Sequence, residues 1–105
     1  MPSTETVQVN ADLLRILGDP TRLALVFALG QGENSVACLA ELAGTTPTSA
    51  SQHLAKLRMS GVVAVRRQGT FMFYSLSDGE TGRAVEEIIR HLPDGSGARP
   101  VPAHA

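Results

Sequence analysis

Residues 39–61, LAELAGTTPTSASQHLAKLRMSG, decide how this chain is read. One helix, opened by Asn34 or Ser35 and running from about Ser35 to Ala43, is closed by Gly44. Thr45-Thr46-Pro47 supplies a new start signal, with Pro at the first helical position, where its missing N–H leaves nothing unsatisfied. A second helix then runs to about Ser60 and is stopped by Gly61. Two helices joined by a short turn containing Gly form a helix-turn-helix. On the second of them Ala50, Leu54 and Leu57 recur at helical spacing and must face the core. The opposite face carries Thr48, Ser49, Ser51, Gln52 and Lys56, with no acid among them. Gln can pair with adenine edges, hydroxyls with bases or phosphates, and Lys with guanine or the backbone. A merely solvated face would mix Glu with Lys. His53 lies beside the apolar stripe, which favours a partly buried histidine bracing the motif over a base contact.

Upstream, residues 1–9 are polar and without period, and are expected to form a mobile arm. Ala11–Leu17 is a short amphipathic helix with Leu13, Leu14 and Leu17 on one side, ended by Gly18. Asp19-Pro20 starts another, which reaches about Leu29 and offers Leu23, Val26 and Phe27 to a core. Gly30-Gln31-Gly32 is a turn. Downstream, VVAVRRQGTFMFYSL (62–76) changes to β-branched and aromatic residues around Gln68-Gly69, the pattern of a hairpin with Arg66 and Arg67 at its tip. Arginines there can enter a minor groove, or simply keep an edge strand from pairing with other sheets. Phe71, Phe73 and Tyr74 read as structural. Ser77 is expected to open a last helix that reaches about His91, and the Pro/Gly-rich residues 93–105 are expected to be a disordered tail. The fold class is mainly α with a β-hairpin wing, a winged helix-turn-helix spanning residues 10–92.

Composition narrows the function. A chain of 105 residues, 43% hydrophobic, supports a single packed domain. One cysteine, Cys38, excludes an internal disulfide framework and every multi-cysteine zinc site, and its simplest role is a small buried residue. No apolar run approaches the roughly 18 residues of a membrane span, and MPSTETVQVN has no signal-peptide pattern, so a cytoplasmic protein is expected. The net charge is only −1, but it is unevenly spread. Between Gly44 and Ser77 there is no Asp or Glu, whereas Lys56, Arg58, Arg66 and Arg67 all fall there. A basic middle in an acidic frame suits a nucleic-acid-binding face. Nothing resembles a catalytic constellation: no nucleophile with a base, no phosphate-cradling loop, no acid pair.

Three stretches, LGDPTRLALVFAL (17–29), LAELAGTTPTSASQHLAKLRMSGVV (39–63) and RRQGTFMFYSL (66–76), together resemble the ArsR/SmtB family of winged-helix transcriptional regulators. The matching motifs are D-x-T-R-L, S-x-H-L-x-x-L and R-R-x-G-x-x-x-x-Y-x-L, and the likeness runs from residue 12 to 92 without a gap. It implies a repressor that binds operator double-stranded DNA as a homodimer built on the first and last helices. Leu13, Leu14, Leu17, Val85, Ile88, Ile89 and Leu92 would then form the dimer interface. Such repression is often relieved by a metal ion.

The family's Cys-x-Cys sensing site is missing, with Ser35 and Ala37 at those positions. Its last-helix pattern D-x-H-x10-H-x2-[HE] reads here as Asp78, Glu80, His91 and Asp94. Asp78 and His91 are separated by about 20 Å along one helix, so only two antiparallel copies could share an ion. One imidazole with several carboxylates favours nickel, cobalt or manganese over tetrahedral zinc, and His104 could add a ligand. Against this, Ser77-x-x-Glu80 is also a capping box, which requires no metal. A metal-independent regulator, answering to a co-regulator protein or a small ligand, and a protein-interaction module remain the alternatives.

Overall fold

A computed structural model describes residues 1–93. Helix α1 spans Thr4–Leu17 and α2 Pro20–Leu29; a short strand β1, Asn34–Ser35, leads straight into α3, Val36–Ala43. Helix α4 covers Pro47–Met59, strands β2 and β3 cover Val63–Gln68 and Phe71–Leu76, and α5 covers Glu80–His91. The strands form one antiparallel sheet in the order β1-β3-β2. This is a winged helix-turn-helix. No helix among the described residues is long and apolar enough to cross a membrane.

Local chemistry sets the helix limits as the sequence leads one to expect. Asp19, Ser35 and Thr46 each accept a backbone N–H at the start of α2, α3 and α4, and Pro20 and Pro47 occupy the first turns. Gly44 ends α3 with φ 68°, a left-handed conformation that a side chain would resist, and so makes the sharp turn into α4 possible. Leu25, Val26, Leu39, Leu54, Leu57, Val62 and Val85 are fully buried and, with Val63 of β2, join α2, α3, α4, the sheet and α5 in one core. With apolar burial stabilising by about 25 cal/mol per Å², this shared core is what holds α4 in place.

Five expectations need correction. Residues 4–9 are not an arm: Ser3 caps α1 by accepting from the Thr6 N–H, and Gln8 and Arg15 both donate to Asp12. All of residues 1–10 are exposed, so no buried stripe announces that turn of helix. Strand β1 was not anticipated, because two residues carry no alternation to read. Helix α5 starts at Glu80 rather than at Ser77, with Gly79 as its cap and no side-chain capping bond. The capping box does not form, since the Ser77 hydroxyl donates to the Gly61 carbonyl at 2.7 Å instead. Cys38 is exposed, because the buried stripe of α3 is Leu39 and Ala40. Finally, Leu17, Val85 and Ile89 are core residues of the single chain. The apolar groups left for an interface are half-buried Leu13 and Ile88 and exposed Leu14 and Leu92. Val7, exposed on α1 two turns before Leu14, joins them.

The expected tail begins at Pro93; beyond that residue it lies outside the described residues, as do Asp94 and His104.

Candidate nucleic-acid interface

The helix-turn-helix presents one face of α4. With Ala50, Leu54 and Leu57 turned inward at 0% exposure, Thr48, Ser51, Gln52 and Lys56 are exposed along the outer side. Ser49 is half-buried, and its N–H is held by the Thr46 cap, so it stands at the margin of this face. Pro47 and Ala55 were missed by the sequence reading: with Thr48, Ser51 and Gln52 they line a shallow, open groove along the helix. Their signal was small size among polar neighbours, which leaves room for another surface to approach.

His53 braces the motif from inside. Arg22 donates through Nε to the Ile16 carbonyl at 2.7 Å, and its Nη1 lies 3.2 Å from His53 Nδ1. Because Arg can only donate, Nδ1 is the acceptor in this contact. Asp19 accepts the Arg22 backbone N–H at 2.9 Å and lies 4.0 Å from His53. That backbone N–H holds the Asp19 carboxyl below its ordinary value, against the opposing effect of burial. The arrangement ties the end of α1, the start of α2 and the middle of α4 together.

On the wing, the strand register separates the two arginines. Arg66 pairs with Phe73 and Arg67 with Met72, so alternation sends them to opposite faces of the hairpin. Arg67 continues the row of Val63 and Val65, on the side packed against the helices, and projects beyond it. It is exposed and makes no side-chain hydrogen bond or ion pair among the described residues. Arg66 is engaged by neighbours within the chain. Its Nε and Nη2 donate to the two Glu33 oxygens at 2.7 and 2.8 Å, Nη1 donates to Gln68 at 2.9 Å, and its guanidinium lies 4.9 Å from the Phe73 ring centre. The hydrogen bonds from Arg66 hold the Glu33 carboxyl below its ordinary value of 4.5. Its folded pKa being depressed, that pair is complete at neutral pH and is lost only as the pH falls through that lowered value. Phe71 is exposed, its ring 6.4 Å from that of Phe73, while Tyr74 packs on the core.

The last-helix residues are spread out. Asp78 precedes α5, Glu80 opens it and His91 closes it, all three exposed. His91 Nε2 lies 3.3 Å from Glu87. Among the described residues, no group of three or more His, Cys, Asp or Glu side chains converges.

Comparison with known proteins agrees with this geometry. Residues 19–65 match the family model described as bacterial regulatory protein, arsR family. The chain is 41% identical over 85 residues to the HTH-type transcriptional regulator KmtR of Mycobacterium tuberculosis, a match covering 81% of this chain and 65% of that protein. Among solved structures, the transcriptional repressor BigR of Xylella fastidiosa superposes with a TM-score of 0.74 at 35% identity, covering 82% of this chain and 85% of that one. A homodimeric winged helix-turn-helix DNA-binding domain from Mycobacterium bovis gives 0.71 at 27% identity, with 85% of both chains covered.

The Arg22 brace predicts a specific loss. Arg22→Ala strands the His53 acceptor and the Ile16 carbonyl, which costs roughly 1–2 kcal/mol and lowers Tm by about 5–15 °C in a domain of this size. Arg22→Lys does not restore it, since a single ammonium cannot serve both acceptors through a fork. Thermal unfolding followed by circular dichroism measures this; an unchanged Tm in both variants would contradict the brace.

Proposed function

Because the chain belongs to the ArsR family of bacterial regulatory proteins, we propose that it is a homodimeric transcriptional repressor that binds operator double-stranded DNA. The family is one of regulators, not of enzymes. The observation that carries this reading is the exposed, acid-free face of α4, with Thr48, Ser51, Gln52 and Lys56 in line and Arg67 free on the adjoining wing. In it, α4 enters the major groove, where Gln52 reads a base edge and Thr48 and Ser51 contact bases or phosphates. Lys56 takes a phosphate, and Arg67 reaches the neighbouring minor groove, where the negative potential favours a cation. The dimer forms through Val7, Leu13 and Leu14 of α1 with Ile88 and Leu92 at the end of α5. Two heads on one twofold axis then read two half-sites. A DNA-bound bacterial regulator of this kind works in the cytoplasm.

A second reading adds a divalent metal, with nickel as the test case. One observation favours it: the Ser77 hydroxyl is engaged with Gly61, so Glu80 has no capping duty. Asp78 and Glu80 are then exposed donors at one end of α5, and His91 is an exposed donor at the other. A second, antiparallel α5 would bring the two ends together. An ion held there would bias the angle between the two DNA-reading heads.

For the DNA reading, operator duplexes selected from random sequence are titrated with wild type and variants. Gln52→Ala and Lys56→Ala each weaken binding more than about tenfold, and Arg67→Ala lowers the slope of log affinity against log salt by about 1 for each phosphate contact removed. Unchanged affinity in both α4 variants would put the interface elsewhere. For the metal reading, calorimetry of the untagged, metal-free protein with nickel gives one ion per protomer, abolished in His91→Ala. Silence with both nickel and zinc contradicts it.

A further inference from the structure

We infer that Glu33 and Arg66 form a strut that sets the position of the wing, making Arg66 a positioning residue and leaving Arg67 as the wing's own contact with DNA; this rests on the DNA-binding reading above. Three sides of the Arg66 guanidinium are already used: both Glu33 oxygens, the Gln68 side chain and the face of Phe73. A phosphate would find only one N–H on Nη1 and one on Nη2 left over, and the fork of Nε and Nη2 that grips an anion with two bonds is already taken by Glu33. The Glu33 charge also offsets that of Arg66 at distance, so the pair contributes little to the field that attracts DNA.

What the pair joins gives it this role. Glu33 immediately precedes β1, and β1 runs directly into α3, whose N-cap is Ser35. Strand β1 meets β3 through only two residue pairs, Asn34 with Tyr74 and Ser35 with Phe73. The ring that carries Arg66 therefore belongs to the residue paired with the N-cap of α3. By register Glu33 lies on the side of this junction away from the tip, so the ion pair crosses over β3 and ties β2 to the β1 side at the level of Phe73. The Arg66–Gln68 bond carries the hold toward the Gly69 turn. Without it, β2 at Arg66 would reach the β1 side only through β3, and so would the distal half of the hairpin. Arg67 sits on that half, on the opposite face. Its reach relative to α4 is thus set by a contact it does not make.

The test is the salt dependence of operator binding, measured for wild type, Arg66→Ala, Arg66→Glu, Glu33→Gln and the exchanged double variant Glu33→Arg/Arg66→Glu. A strut predicts that Arg66→Ala and Glu33→Gln each lose affinity several-fold with an unchanged salt slope. It also predicts that the exchanged pair binds within about threefold of wild type, far better than Arg66→Glu alone, because the coupling belongs to the pair. Amide hydrogen exchange supplies a readout without DNA: residues 66–73 exchange faster in both single variants and slow again in the exchanged one. If Arg66 instead touches a phosphate, the exchanged variant binds as poorly as Arg66→Glu and Arg66→Ala lowers the slope by about 1. Either result overturns the strut while wild-type binding stands. A wild type without salt-dependent binding overturns the DNA reading itself and the strut's role with it.

Discussion

Arg22 holds the end of α1, the start of α2 and the middle of α4 in one register, and the rest of the DNA-reading geometry depends on that register. Its planar fork reaches the Ile16 carbonyl through one nitrogen and His53 through another, while its own backbone N–H is held by Asp19. A helix that reads DNA must keep its orientation to within a fraction of its own diameter. Leu54 and Leu57 hold α4 down, but apolar packing is not directional and would tolerate some rotation about the helix axis. A hydrogen bond to the ring of His53, on the same helix, removes that freedom. The hydrophobic core supplies the free energy of the fold and sets which face of α4 turns inward; the Arg22 brace limits the rotation that remains.

The electrostatics follow the same division between holding and reading. The whole chain carries a formal charge of −1, a poor partner for a polyanion if that charge were evenly spread. It is not. The acid-free stretch between Gly44 and Ser77 coincides with the turn, α4 and the wing, whereas acids occupy α1, the start of α2, α3 and α5. Within the basic stretch, Arg66 is matched by Glu33, a residue 33 positions upstream, and Lys56, Arg58 and Arg67 remain exposed. So modest a set of cations suits the proposed reading, in which base-edge contacts and two copies acting together supplement charge.

Much of this was legible in the sequence, for reasons that are local. Gly44, Thr46 and Pro47 mark the helix-turn-helix because a left-handed residue, a capping hydroxyl and a ring with fixed φ have few other uses in that order. The buried stripe of α4 and the hairpin followed from period alone. The features that escaped depend on partners far away in the chain. The Ser77 hydroxyl could cap a helix or bond to Gly61, and only the packing of the α4–β2 turn against it decides. Cys38 looked like a core residue, but burial on so short a helix is decided by which side meets α2 and α4. Leu17, Val85 and Ile89 looked like an interface because amphipathicity does not say whether an apolar stripe meets its own chain or another. Arg66 and Arg67 read as equivalent, although adjacent residues on a strand always face opposite ways; the upstream position of Glu33 gave no sign which was already engaged.

The proposed dimer places two α4 helices on the same face of one duplex. Hydroxyl-radical footprinting of the full chain on its selected operator tests this most directly. Two protected regions related by twofold symmetry are expected, centred about 34–36 Å apart or a multiple of that distance. A single protected half-site, or uniform protection without sequence preference, would contradict it.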